Sequence, residues 1–367
     1  MTLTLTVHRG TREIGGSCIE IAHFNGERLI LDAGRPLDAP DGATGLLPAS
    51  LDRSKPATVL ISHPHQDHWG LVEELPRDWP IWTGAGSAKL IAVTGDVMQR
   101  PLARHFETWG SRSGPIRIGT FAVTPILTDH SAFDAYMLLV ECDGKRLLYT
   151  GDFRRHGRKS TLVDAMMARP PLDIDVLLTE GTNLGSDKPV TSETAIEGDF
   201  VELFQRIRGR VFVMWSGQNV DRTVTFYRAA KRTGRTLAID LYTADVLDRI
   251  SEGTGLPRAG FDSLKVVVTR GLRNSYAKQR RQDFVARMAA KGMAAKDLRA
   301  GRHVIMLRRA LMPDFRRAGV DPTAEDGFSF SMWSGYLKEP LYQAPVVNDL
   351  LPSAAPDVGL GPRLELR

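Results

Sequence analysis

The alternation of apolar and polar residues predicts two similar β-hairpins in the first half of the chain. Residues 19–35 and 137–154 each contain a strand, an Asn-Gly or Asp-Gly pair, and a second apolar strand. These pairs favour the tight turns of hairpins. Each second strand runs into an acidic turn, at Asp32 and at Asp152. We expect both carboxylates to converge where the two halves of this region meet.

Helical patterns are interleaved with further strands. Between the hairpins, the sequence predicts a strand at residues 58–62, a helix from Asp67 and a helix at about residues 87–98. Residues 173–180 are predicted to form a buried strand that ends at Glu180. Two similar halves of this kind favour an α/β fold, with paired sheets flanked by helices.

A second layered α/β unit is predicted from about residue 192 to residue 342. Thr191 or Ser192 precedes the apolar stripe of a helix, and residues 209–240 follow the order strand, turn, helix, strand. Three more strands are predicted at residues 264–268, 303–307 and 328–337. The remaining tail is rich in proline and ends in a short strand-like piece.

Composition narrows the class of protein. The chain is 42% hydrophobic and 25% charged, which is typical of a globular protein. No apolar run is long enough to span a bilayer, and the start lacks the features of a secretory signal. Cys18 and Cys142 are the only cysteines, so a disulfide framework is excluded. We therefore expect a cytoplasmic protein with no membrane partner.

Positive charge is concentrated in one segment. Residues 265–309 contain thirteen Lys and Arg residues and two Asp residues, whereas the whole chain has a net charge of +5. Such a segment on an otherwise mildly acidic chain indicates a polyanionic partner, and a solvated helix face is the alternative.

The stretch HPHQDH, residues 63–68, crowds metal-binding side chains after a strand. His63 and His65 lie two residues apart and therefore share one side of the chain, while Asp67 and His68 begin a helix. Imidazole and carboxylate groups suit Zn²⁺, with Mn²⁺ as second choice. These side chains cannot all reach one tetrahedral ion, so the spacing predicts two adjacent ions.

This stretch resembles the HxHxDH signature of the metallo-β-lactamase superfamily. Asp32 resembles the first motif of that family, His130 in LTDHSAFDAY the third, and Asp152 in YTGDF the fourth. The resemblance implies an αββα sandwich and two metal ions held by six residues: His63, His65 and His130 for one, and Asp67, His68 and Asp152 for the other. It also implies that Asp152 bridges both ions and that Asp32 braces the ligands. Two ions about 3.5–4 Å apart hold a hydroxide that can attack a phosphodiester.

The later part of the chain resembles the β-CASP insert of nucleic-acid-cleaving members, in an arrangement similar to the ribonuclease J family. REIGGSCIEI near the start, Glu180 in LLTEGT and the turn MWSGQNVDR carry this resemblance. It implies a metal-dependent ribonuclease, acting as an endonuclease or a 5'-exonuclease, with catalytic roles for Asp32, Asp67, His68 and Glu180. The implied domains are a metallo-β-lactamase domain at residues 1–190, a β-CASP-like domain at 191–345 and a return segment at 346–367.

Several residues are candidates for contact with single-stranded RNA, because Lys and Arg neutralise phosphates without selecting a base. They are Arg154, Arg155, Arg158, Lys159, Ser216, Asn219, Arg280 and Arg281. A solvated loop is the alternative for residues 154–159. Ser216 and Asn219 could equally cap a helix.

Ribonucleases of this family continue into an H-x-S-G-H motif and a later histidine, and no histidine follows His303 here. We expect a fold that lacks its last strand and helix, with impaired catalysis or with completion by a homodimer or a partner chain. Two other functions remain open: a hydrolase of small esters or lactones, and a nucleic-acid-binding protein with a relic metal site.

Overall fold

The computed structural model describes residues 3–187 and 189–332. The chain divides into two compact units, Met1–Val190 and Thr191–Arg367. The predicted return segment at residues 346–367 and the end of the second predicted domain, from residue 333, lie outside the described residues. No helix within the described ranges is long and apolar enough to cross a membrane.

The first sheet of unit 1 has six strands in sequential order. They are β1 (Leu3–Arg9), β2 (Cys18–His23), β3 (Arg28–Leu31), β4 (Thr58–Ile61), β5 (Ile81–Gly84) and β6 (Glu107–Trp109). Neighbours are antiparallel from β1 to β3 and parallel from β3 to β6. Two helices, α1 (Gln66–Trp69) and α2 (Ala85–Val97), follow β4 and β5.

The second sheet of unit 1 has five strands, in the order β11-β10-β9-β8-β7. They are β7 (Ile116–Ile118), β8 (Phe121–Leu127), β9 (Tyr136–Cys142), β10 (Lys145–Tyr149) and β11 (Val176–Leu178), with α3 (Ser160–Ala168) between the last two. Both predicted hairpins are confirmed. In the second, Asp143 and Gly144 have φ angles of 49° and 74°, as a tight hairpin turn requires.

Hydrophobic clusters show how unit 1 is layered. Leu31 of the first sheet and Leu138 of the second belong to one cluster between the two sheets. Ile91 of α2 packs on the outer face of the first sheet, and Met166 of α3 packs on the outer face of the second. The order helix, sheet, sheet, helix confirms the predicted αββα sandwich.

The strand predicted at residues 173–180 is shorter and less buried than expected. It becomes β11, in which Val176 and Leu177 are 36% and 57% exposed. In the described part of the chain β11 pairs with β10 alone, so it lies at the edge of its sheet. A continuous apolar run does not distinguish such an edge strand from a central one.

Unit 2 is a parallel sheet with the order β14-β13-β15-β12-β16. Its strands are β12 (Val211–Met214), β13 (Thr236–Asp240), β14 (Leu264–Val267), β15 (His303–Met306) and β16 (Gly327–Phe330). Its helices are α4 (Glu193–Arg206), α5 (Val220–Arg232), α6 (Leu241–Ile250), α7 (Arg270–Lys278), α8 (Gln282–Ala290) and α9 (Met312–Arg317). As predicted, Ser192 caps α4, since its side chain accepts from Ala195 N.

Buried aromatic residues and one ion pair stabilise unit 2. Phe200 of α4 and Phe226 of α5 have ring centroids 4.6 Å apart. Before β12, Arg210 donates from its backbone N to Asp326 Oδ1 over 2.6 Å and from its Nε over 3.1 Å. Both residues of this pair are buried, which ties the starts of β12 and β16 together.

Candidate metal centre

Asp32 lies directly after β3 and is fully buried. Its Oδ1 accepts from Ser62 N over 2.7 Å, and its Oδ2 accepts from Ser62 Oγ over 2.8 Å and from Tyr149 over 2.6 Å. The same Oδ2 accepts from His68 Nδ1 over 2.7 Å. Its φ of 60° is in the left-handed region, which Asp tolerates better than most residues. Asp32 is therefore an anchor for three residues, two from the segment after β4 and one from β10.

His63 follows β4 and is buried beside this anchor. Its Nδ1 lies 3.0 Å from Ser62 Oγ. Because Ser62 donates its own proton to Asp32, His63 must donate from Nδ1, which leaves a lone pair on Nε2. That Nε2 atom is buried and has no hydrogen-bond partner among the described residues. Burial lowers the pKa of His63 well below its usual value, so the ring is neutral.

His65 and His130 lie next to His63. His130 Nε2 is 3.1 Å from His65 Nδ1, and the His63 ring centroid is 4.9 Å from that of His65 and 4.7 Å from that of His130. Each of the three offers a ring nitrogen within 4.8 Å of the others. Burial also lowers the pKa values of His65 and His130. Three neutral imidazoles at this spacing could hold one divalent cation.

A second group consists of His63, His68 and Asp152, whose ligand atoms also lie within 4.8 Å of one another. His68 Nε2 is 3.4 Å from Asp152 Oδ1 and 3.8 Å from Asp67 Oδ2. Burial opposes the charge on His68, but Asp32 and Asp152 raise its pKa well above the usual value. The resemblance implied Asp67, His68 and Asp152 as the ligands of the second ion. In the structure His63 takes the place of Asp67 in this group, and Asp67 lies beside it.

The side chains fit a divalent metal ion. The rings of His63 and His68 are held at Nδ1, by Ser62 and by Asp32, so that Nε2 of each is directed toward Asp152. Hydrogen bonding at the far nitrogen is how proteins orient metal-binding imidazoles. The unpartnered Nε2 of His63 is the clearest sign of the fit, because burying a polar atom without a partner is costly.

Glu180, predicted from LLTEGT, lies close to Asp152. Its Oε1 accepts from Phe153 N over 3.2 Å, and its own N donates to Thr150 Oγ1 over 3.3 Å. Burial and the charge of Asp152 raise the pKa of Glu180. The Glu180 side chain thus holds the backbone after Asp152, and its backbone N holds the Thr150 side chain before Asp152.

The basic run at residues 154–159 contains both buried and exposed side chains. Arg154 Nε is 3.6 Å from buried Asp129 Oδ1, which ties this arginine to the residue before His130. Arg155 is 63% exposed and pairs with Asp164 over 2.6 Å. Lys159 Nζ lies 5.9 Å from the centroid of the Phe133 ring, and Arg158 is half-buried.

In unit 2 the candidates for RNA contact also include both exposed side chains and side chains held by other residues. Ser216 is exposed, whereas the Asn219 side chain accepts from Arg222 N and caps α5, the alternative left open from the sequence. Arg281 pairs with buried Asp245, with Nη2 and Oδ1 2.8 Å apart, and stacks 4.6 Å from the Phe284 ring centroid. These contacts hold Arg281 within unit 2, while Arg280 is exposed.

Several supporting residues were not predicted from the sequence. Ser62 contacts His63 and Asp32, Tyr149 donates to Asp32, and Asp129 Oδ2 accepts from Gly157 N over 2.7 Å. Gly34 allows a close approach, since a Cβ there would lie 1.7 Å from Asp67 O. The only signal available was adjacency: Ser62 precedes His63, and Asp129 precedes His130.

Comparison with known proteins shows similarity to ribonuclease J and a related protein. Ribonuclease J of Helicobacter pylori (strain ATCC 700392 / 26695) is 25% identical over 257 residues, which cover 65% of this chain and 36% of that protein. An RNase J-like protein of Methanocaldococcus jannaschii is 30% identical over 188 residues, covering 48% of this chain and 42% of that protein. The chain thus spans less than half the length of these relatives.

One solved structure matches nearly the whole chain. It is a protein of unknown function from Enterococcus faecalis V583, with a TM-score of 0.73, 17% identity and coverage of 97% of this chain and 90% of that one. This match shows a shared fold. Residues 12–179 match the family model of the metallo-beta-lactamase superfamily. Nearly all of unit 1 is therefore similar to this superfamily, and its clustered His and Asp residues could bind divalent metal.

Proposed function

We propose that this chain is a metal-dependent ribonuclease that hydrolyses phosphodiester bonds of single-stranded RNA. The observation that carries the proposal is that both ligand groups lie around His63, whose free Nε2 can bind one cation only, so that two cations at the centre would be close neighbours. A pair of cations suits this reaction because it stabilises the attacking and the leaving oxygen together. The donor set favours two Zn²⁺ ions, and Mn²⁺ is the alternative.

RNA is the proposed substrate for two reasons. The relatives that match most of the chain are named ribonucleases, and their similarity extends over 257 residues in one case. The second unit also carries the basic segment at residues 265–309, which suits a polyanion. In this proposal, residues 191–345 form a β-CASP-like domain.

The residues of the centre have distinct proposed roles. When bound, divalent ions lower the pKa of water and neutralise charge on phosphate oxygens. Asp32 orients His68 directly and His63 through Ser62. Glu180 fixes the chain around Asp152 through Phe153 N. Exposed Arg155 is a candidate for phosphate contact.

The test is incubation of the purified chain with end-labelled single-stranded RNA and Zn²⁺ or Mn²⁺, with metal content measured in parallel. We expect cleavage by the natural chain, and loss of cleavage together with a drop in bound metal in His63→Ala/His65→Ala. His105→Ala is the matched control, because that histidine is 86% exposed and lies outside both ligand groups.

Other outcomes would select the alternatives. A double variant that keeps the full metal content of the natural chain overturns the assigned centre. Turnover of small esters or lactones without RNA cleavage would assign the same centre to another hydrolase class. RNA binding that survives metal removal, without cleavage at any metal concentration, would identify a binding protein.

A further inference from the structure

A second cluster of metal-binding side chains lies in unit 1, at the hairpin turns. His23 ends β2, Cys142 ends β9, and Asp143 begins the turn that follows β9. Their ligand atoms lie within 4.8 Å of one another. His23 and Cys142 are only 6% and 5% exposed, whereas the Asp143 side chain is 33% exposed. The cluster is thus buried on one side and open to solvent on the other.

The topology separates this cluster from the centre already described. β3 begins after the turn that follows His23 and ends beside Asp32, and β10 begins after Asp143 and ends shortly before Asp152. Each strand advances about 3.3 Å per residue, so the shorter of the two separates the ends by about 13 Å. The two similar hairpins therefore lie close together at both ends of the sandwich. Their acidic ends meet at one end, and their turns meet at the other.

We propose that His23, Cys142 and Asp143 form a structural Zn²⁺ site that joins the two sheets of unit 1 at their hairpin turns. Zinc accepts imidazole, thiolate and carboxylate ligands at about 2.0–2.3 Å. His23 Nε2 lies 2.9 Å from Asp143 Oδ2, so the imidazole and the carboxylate are already aligned toward one point. Asn25 N lies 3.4 Å from His23 Nδ1, a long contact that the ring gives up when Nε2 binds the ion.

Binding releases one proton and moves another. The proton of His23 Nε2 shifts to Nδ1, Zn²⁺ takes its former place beside Asp143 Oδ2, and the thiol of Cys142 loses its proton to solvent. No electron transfer is involved, and a water molecule completes four-fold coordination. His23 belongs to the first sheet and Cys142 to the second, so the ion crosslinks two layers that also pack through an apolar cluster.

Cobalt substitution tests the site, because a thiolate bound to Co²⁺ gives a charge-transfer absorption that imidazole and carboxylate ligands do not. We expect this band when the reduced full chain is titrated with Co²⁺. Cys142→Ser should abolish it, and Cys18→Ser, the matched control for the chain's other thiol, should keep it. Zn²⁺ should raise the Tm of the natural chain more than that of Cys142→Ser.

The two proposed metal sites are distinguished by combining variants. In His63→Ala/His65→Ala the thiolate band should persist, and adding Cys142→Ser should remove it. If a variant fails to fold, the titration of the natural chain and of Cys18→Ser still decides the question. Absence of the band in the natural chain at saturating Co²⁺, or its dependence on Cys18, overturns the proposal.

Discussion

His68 Nδ1 lies 2.7 Å from Asp32 Oδ2, and both residues are at most 2% exposed. This contact fixes which nitrogen of His68 is directed toward Asp152. The same carboxylate accepts from Ser62 and Tyr149, so one buried residue orients a ligand from the segment after β4 and connects it with the end of β10.

We expect Asp32→Asn to weaken metal binding by about 10- to 100-fold, the usual effect of removing such a support. Asn also tolerates the left-handed backbone of this position, so the change removes charge without backbone strain. Competition with a chelator measures the affinity. Tyr149→Phe removes one donor to Asp32 and should lower the metal affinity less. An Asp32→Asn protein with the metal affinity of the natural chain would contradict the anchoring role.

Gly34→Ala should destabilise unit 1 by about 3 kcal/mol, within the range for a severe steric clash. The added Cβ would lie 1.7 Å from Asp67 O, so the segment carrying Asp67 and His68 must move. Denaturant unfolding measures the loss, and metal content should fall with it. Gly110→Ala is the control, because a Cβ there meets nothing within 4 Å.

Asp326→Ala should destabilise unit 2 by about 3–5 kcal/mol, because it leaves Arg210 buried without its partner. The side chains of this pair are 5% and 3% exposed. Asp248→Ala removes the partner of Arg287, which is 52% exposed, and should cost less than about 1 kcal/mol. If thermal or denaturant unfolding shows equal losses of stability in Asp326→Ala and Asp248→Ala, burial of an ion pair does not determine how much it stabilises unit 2.

Arg280 and Arg281 are neighbours with different expected roles. If the exposed Arg280 contacts one phosphate of a single strand, Arg280→Ala should reduce the salt dependence of RNA binding by a slope of about 0.7. Arg281→Ala should leave that slope unchanged and lower stability by about 1–3 kcal/mol, since Asp245 keeps Tyr276 at 3.0 Å and Arg249 at 3.1 Å. Binding titrations at several salt concentrations, together with unfolding curves, separate the two effects.

Local patterns were sufficient to predict much of this molecule. The Asn-Gly and Asp-Gly pairs predicted both hairpins, and the crowding of His63, His65 and His68 indicated a metal centre before any distance was known. The αββα order followed from the alternation of strands and helices together with the resemblance.

Contacts between distant segments could not be predicted in this way. Tyr149 reaches Asp32 across 117 positions of the chain, and nothing in YTGDF alone indicates that partner. The sharing of His63 between two ligand groups depends on angles between side chains from different strands. The exposure of β11 was missed because the position of a strand within its sheet is set by the neighbours that pair with it.

The burial of Asp32 has a further consequence for how unit 1 takes up metal. Its partners are attached to strands whose apolar residues already form the cluster between the sheets. The ligands are therefore preorganised by the protein core, and little of the binding free energy of a cation is spent on ordering the chain. Small zinc domains that fold only around their ion differ in this respect. Here the metal-free and metal-bound forms should share one backbone, so that metal can exchange without unfolding.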